Sequence, residues 1–407
     1  MATTVMVKNT MNQPVASVTA AKTRIPSIDL LRGAVMVIMA IDHLRDLLHF
    51  GHPDPTDLQT TTPVLFFTRW ITHFCAPTFV FLSGVSAFLA GRRRTTKQLA
   101  GFLIKRGIWL VFVEIFIIGF AAKVDPLYHV IVFQVIWAIG ASMILLGLLI
   151  SAKAGPWVIG SIGLIIFAGH NVIDLLHNAT INGNAGWRLL LSGRGFGDWQ
   201  PLGQGRFLVI AYALLPWTGV MLFGYAVGTL YGMDAAKRKQ ALTTMGIVLL
   251  AVFVIFRAFN IYGDPAPWSS QKNVTLSILS FLNVTKYPCS LMYLCMTVGV
   301  ALLFLANTEK AGSRLTRILI VFGNVPFFYY VCHWFLIQSI TIILFFALGH
   351  HMDEAYQSFF PFSPNNFGFP LAGVYAIWLL VVTVLYFPCR WFSRYKKTHG
   401  QWWLSYI

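Results

Sequence analysis

Apolar residues recur along the chain in ten runs long enough to cross a bilayer, near 28–49, 71–91, 102–122, 129–152, 156–173, 207–232, 241–261, 287–306, 319–348 and 370–391. Polar connections of unequal length separate them, and no stretch has the composition of a separate soluble domain. The pattern predicts an all-α polytopic membrane protein of about ten transmembrane helices. The ninth run contains Gly323, Asn324 and Pro326, so it is expected to break into a short re-entrant piece followed by the true span. Residues 1–24 carry no apolar core and read as a disordered tail, residues 25–393 as the membrane domain, and residues 394–407 as a second tail.

Composition agrees with that pattern. Hydrophobic residues make up 57% of the 407 and charged residues 11%, and the mean hydropathy is +0.68. The net charge of +16 is spread by topology, not gathered in one patch, which argues against a nucleic-acid partner. Arg92, Arg93, Arg94 and Lys97, then Lys237, Arg238 and Lys239, then Lys310, Arg314 and Arg317, mark every second connection. The alternate connections carry Asp54, Asp57, Asp125, Asp264, Asp353 and Glu354. The rule that basic connections stay inside then predicts that both termini are cytoplasmic, in a plasma (inner) membrane, multi-pass arrangement. Cys75, Cys289, Cys295, Cys332 and Cys389 form no CxxC pair, and neither a metal site nor a disulfide framework is expected.

The first run, IDLLRGAVMVIMAIDHLRDLLH, holds Asp29, Arg32, Asp42, His43, Arg45 and Asp46 inside an otherwise apolar helix. A charge near the bilayer centre costs about 3 kcal/mol or more, so such residues are functional candidates. Arg32 and His43 are eleven residues apart. At about 100° and 1.5 Å per residue they share one face, roughly 16 Å apart along the axis. The helix therefore carries a fixed cation near one surface and a titratable imidazole near the other. Asp42 and Arg45 are spaced to pair, and Asp46 is spaced to orient the His43 ring.

Other candidates follow along the chain. His73, in RWITHFCAPTFVFLSG, is expected level with His43, where two imidazoles suit proton transfer. Pro77 should loosen that helix, and Ser83-Gly84 should admit a close neighbour. His49 and His52 are weaker candidates for the same role. Glu114 sits mid-run, with Arg32 as its expected partner. Residues 174–206 are Gly-rich and form a candidate cap over an external pocket, while His350 and His351 beside Asp353 and Glu354 read as an exposed loop.

Together IDLLRGAVMVIMAIDH, FFTRWITHFCAPTFVFLSG, PWTGVMLFGYAVG, KYPCSLMYLCMTVG and FGNVPFFYYVCHWF resemble the bacterial branch of the heparan-α-glucosaminide N-acetyltransferase-like membrane proteins, from Arg24 to about Trp391. Arg32 and His43 also match the Arg-x10-His pattern of the wider membrane acyltransferases. The resemblance implies an enzyme that draws an acyl group from cytoplasmic acetyl-CoA, as co-substrate and without a metal. It would deliver that group to an amine or hydroxyl of an extracytoplasmic glycan or glycolipid. The characterised relative places its catalytic histidine in the loop after the first span, within a motif absent here, which leaves His43, His73, His49 and His52 in competition. On this reading the catalytic candidates are His43, His73 and Asp46, and the donor-binding candidates are Arg32, Asp29 and Arg106. His333, Tyr330 and Lys286 are the acceptor-binding candidates. The partners expected are acyl-CoA, the glycan, the bilayer and a second copy in a homodimer. The rival reading is a transporter or flippase, against which stands the lack of an inverted repeat.

Overall fold

The computed structural model describes residues 25–172, 185–191 and 199–406. Helix α1 spans Pro26–Leu48, opening on a proline whose missing N–H leaves nothing unsatisfied there. The second apolar run forms α2 (Pro63–Thr72) and α3 (Cys75–Gly91). α4 (Thr96–Phe112) continues through a π-helical turn at Val113–Ile118 into α5 (Gly119–Lys123). Strand β1 (Val130–Phe133) precedes α6 (Val135–Ser151) and α7 (Pro156–Gly169). After α8 (Ala185–Leu190), β2 (Trp199–Gly203) and β3 (Arg206–Ile210) lead into α9 (Leu214–Val227). Then come α10 (Ala235–Phe259), α11 (Val274–Leu282) and α12 (Leu291–Asn307). The chain closes with α13 (Arg314–Asn324), α14 (Pro326–Ala347) and α15 (Leu371–Thr398).

Each predicted run contains a helix. Among the described residues, five helices are long and apolar enough to cross a membrane: Pro63–Gly91 taken as one, Leu214–Gly232, Ala235–Phe259, Pro326–Ala347 and Leu371–Thr398. Val135–Ser151, Pro156–Gly169 and Leu291–Asn307 are apolar but shorter. The break foreseen in the ninth run falls between Asn324 and Pro326. Proline takes the first position of the new helix and pushes Val325 out of helical backbone, to φ −135°. The tail 1–24 and most of the candidate cap at 174–206 lie outside the described residues.

The all-α expectation needs one correction. β1 pairs in parallel with β3, and β3 pairs antiparallel with β2, in a three-stranded sheet. Val130, Ile131, Val132 and Phe133 are β-branched or aromatic, and hydropathy alone cannot tell such a run from the start of a helix. The sheet holds the two chain segments that enter α6 and α9, and so places Gln134 and Tyr212 beside α1.

Helix α1 packs against α2, α3, α12, α13, α14 and α15. The closest helix contacts are made through facing glycines. A Cβ on Gly33 of α1 would stand 1.9 Å from the Leu319 carbonyl oxygen, and one on Gly323 of α13 would stand 1.8 Å from the Asp29 carbonyl oxygen. Gly84 of α3 and Gly224 of α9 meet Met221 O and Phe81 O in the same way, at 2.0 and 2.2 Å. Gly107 faces Gly140 between α4 and α6, and Gly246 faces Gly299 between α10 and α12. In lipid, where tails are as apolar as leucine, such backbone-to-backbone contact gives helices their dispersion energy. The close approach expected at Ser83-Gly84 is therefore present, with α9 as the neighbour.

Candidate active site

Along α1, Arg32 and His43 open onto two different cavities. The first, of about 400 Å³, is lined by Asp29 and Arg32 from α1, by Arg94 and Arg106, by Lys396 from α15, and by Asn324. Arg32 is held on three sides. Its Nη1 donates to Asp29 Oδ1 at 3.1 Å and to the Gly323 carbonyl at 3.3 Å, and its Nη2 donates to Ser86 Oγ at 2.9 Å. The Gly33–Gly323 contact brings that carbonyl within reach. Four cations against one carboxylate make this basin a place for anionic oxygens.

Glu114 is not the partner of Arg32. Its Oε2 accepts from the Trp137 backbone N–H at 3.1 Å. Trp137 lies in the first turn of α6, whose N–H groups have no partner within the helix, and a carboxylate satisfies them.

The second cavity, of about 50 Å³, surrounds His43 and is walled by Asp46, Arg69, Lys286, Tyr330 and Trp334, among others. Phe79, Val135 and Tyr330 line both cavities, so the basin and the His43 chamber abut end to end. The His43 ring lies 4.2 Å from the Trp334 ring and 5.2 Å from that of His333, centre to centre. His333 is fully buried, and its Nδ1 hydrogen bonds to the Tyr330 carbonyl. A carbonyl only accepts, so Nδ1 carries the hydrogen and Nε2 holds a lone pair.

The acidic cluster beside His43 is paired as its spacing suggested. Arg45 binds Asp42 at 3.0 Å and also takes Asp46, and Arg69 from α2 reaches Asp42 at 2.6 Å. Asp46 is thus engaged by a guanidinium, not by the His43 ring as its spacing had suggested. Two arginines against two carboxylates leave the cluster neutral, which is what makes its burial tolerable.

His73 does not share the His43 chamber. It sits at the break between α2 and α3, is buried, and packs edge-on against Tyr293 at 5.4 Å. Pro77 sits four residues after His73 and has no N–H for its carbonyl, so the helix parts there. His49 and His52 line a third cavity of about 290 Å³ with Arg45, Asp46 and Phe360. Asp46 and Phe360 also wall the His43 chamber, which makes the third cavity its continuation away from the basin.

The structure therefore groups Asp29, Arg32 and Arg106 in one cavity, and His43, Asp46, Tyr330 and Lys286 in the next, with His333 against the His43 ring. Sequence reasoning did not single out Arg69 or Trp334, and it used Arg94 only for topology. Arg69 carried a usable signal, as an arginine within the apolar stretch LFFTRWIT. No cluster of three or more His, Cys, Asp or Glu side chains able to hold a metal occurs among the described residues.

The family model for the catalytic domain of heparan-α-glucosaminide N-acetyltransferase matches residues 24–262, more than half of the chain. The chain belongs to this family. The match takes in α1 and with it Arg32, Asp42, His43 and the Arg69 cluster. It ends before α14, which brings Tyr330, His333 and Trp334 to the surroundings of His43. No curated protein matches the sequence.

Proposed function

We propose that this chain is a membrane acyltransferase. It takes an acetyl group from acetyl-CoA held at the Arg32 basin and delivers it to an amine or hydroxyl of a glycan at the His43 chamber. One observation carries the reading: a cationic basin and an imidazole chamber abut through Phe79, Val135 and Tyr330. The CoA phosphates would bind Arg32, Arg94, Arg106 and Lys396, with charge-assisted and bidentate contacts that suit guanidinium groups. The pantetheine arm would run the roughly 16 Å from Arg32 to His43 along α1. His43 would take the proton of the attacking amine or hydroxyl, and the third cavity, beside His49 and His52, would admit the acceptor. In the membrane we place the basin on the cytoplasmic face of a ten-span plasma-membrane protein with both termini inside, as the alternating basic connections suggest.

The test uses purified protein reconstituted in vesicles, with labelled acetyl-CoA on one side and a glucosamine-terminated oligosaccharide on the other. Label is expected on the acceptor across the bilayer with the wild type, and is lost with His43→Ala while acetyl-CoA still binds. Transfer only when donor and acceptor share a compartment would overturn the transmembrane route. Near wild-type turnover in His43→Ala would remove His43 from the mechanism.

A further inference from the structure

Tyr330 and Trp334 lie four residues apart on α14 and so face the same side of that helix. Both wall the His43 chamber, and Tyr330 also lines the cationic basin. They are 2% and 1% exposed. Neither the Tyr330 hydroxyl nor the Trp334 indole N–H makes a hydrogen bond of good geometry among the described residues. The Trp334 N–H faces the Tyr330 hydroxyl oxygen at the edge of hydrogen-bonding range, which holds the two donors side by side. A buried donor left unsatisfied costs about 1–3 kcal/mol, so two of them in the wall of one imidazole chamber need an explanation.

We infer that Tyr330 Oη–H and Trp334 Nε1–H form the oxyanion hole of this site and bind the carbonyl oxygen of the donor thioester. The assignment rests on the acyltransferase reading above and gives it the electrophilic half that His43 cannot supply. Indole N–H is a donor only, and a tyrosine hydroxyl with no acceptor beside it is free to donate. Tyr330 stands where basin and chamber meet, which is where a thioester extended from the basin first reaches His43.

The acceptor nitrogen attacks the thioester carbonyl carbon, a C–N bond forms, and the π pair moves onto oxygen, where the two donors hold it. His43 takes the proton from nitrogen. The oxygen pair then returns, the C–S bond breaks, and the leaving sulfur takes the proton from the His43 imidazolium. The products are the amide and the free thiol of CoA; an attacking hydroxyl gives the ester by the same steps. Donors fixed in a dry site before reaction stabilise the developing charge without reorganising.

Tyr330→Phe keeps the ring and removes only the O–H. Removing one such donor should lower kcat for acetyl transfer to glucosamine about a hundredfold or more, with KM for acetyl-CoA little changed. A packing role would not produce that split. Isotope-edited infrared spectroscopy of carbonyl-labelled acetyl-CoA should show the thioester band displaced to lower frequency on the wild-type protein, and restored toward its solution position on Tyr330→Phe. Trp334→Phe should act in the same direction, with acetyl-CoA affinity reporting on the fold because the indole also packs on His43. Wild-type kcat in Tyr330→Phe, or an undisplaced band on the wild type, overturns the assignment. If the wild type transfers acetyl to no sugar amine or hydroxyl, the parent reading fails instead, and the carbonyl band alone then decides this one.

Discussion

Tyr293 donates its hydroxyl hydrogen to the backbone carbonyl of His73 at 2.8 Å, across the interface between α12 and the α2–α3 break. That carbonyl has lost its helical donor to Pro77, four residues on, and the tyrosine replaces it. The break is thus stitched into the core, and the His73 ring packs edge-on against Tyr293.

Tyr293→Phe should therefore destabilise the protein by about 1–3 kcal/mol, the cost of a buried acceptor left unsatisfied. Thermal unfolding in detergent measures this. Unchanged stability would mean that water reaches the broken turn.

Gly323→Ala should be far worse than its size suggests. The added methyl would stand 1.8 Å from the Asp29 carbonyl oxygen, a backbone atom that cannot turn aside. α1 and α13 must separate, which costs about 1–3 kcal/mol or more and pulls the Gly323 carbonyl from Arg32. Gly101→Ala, which meets nothing within 4 Å, is the control and should fold normally. The yield of monodisperse protein separates the two.

Arg32→Ala should weaken acetyl-CoA binding roughly tenfold to a hundredfold, the worth of one or two charge-assisted hydrogen bonds. Arg32→Lys should recover part of the loss, because lysine keeps the charge without the planar fork. Equilibrium binding measured with and without an acceptor sugar tests the assignment. Normal affinity in Arg32→Ala would make the arginine a structural link between α1, α3 and α13.

Asp42→Asn should cost about 3–5 kcal/mol, because it leaves the buried Arg45 and Arg69 guanidinium groups short of a counter-charge. Denaturation in detergent gives the value. A loss below about 1 kcal/mol would show that solvent reaches the cluster, as at an exposed pair.

What could be read from the chain is what lies within one helix. Arg32 and His43 on a common face, and Asp42 spaced to pair with Arg45, follow from 3.6 residues per turn. The break before Pro326 follows from proline chemistry. Contacts between helices carry no such periodic signature. Nothing in the sequence tells that His43 meets Trp334 and His333 rather than His73, because that depends on how α14 is set against α1. Charge alone pairs Glu114 with Arg32, whereas its actual partner is an open backbone N–H at the start of α6. The sheet leaves no separate signal because apolar β-branched residues look alike to hydropathy in strand and membrane helix.

The glycine contacts also divide the molecule mechanically. Where backbone touches backbone, as along α1–α13 and α3–α9, no rotamer change can widen the gap, and those helices form a stiff frame. α14 contains no glycine between Pro326 and Ala347, and it meets its neighbours through Tyr329, Tyr330, His333 and Trp334. Side chains can turn where backbones cannot. α1, gripped backbone to backbone at Gly33, keeps the spacing of Arg32 and His43 as a fixed ruler along which the proposed acyl arm would be measured.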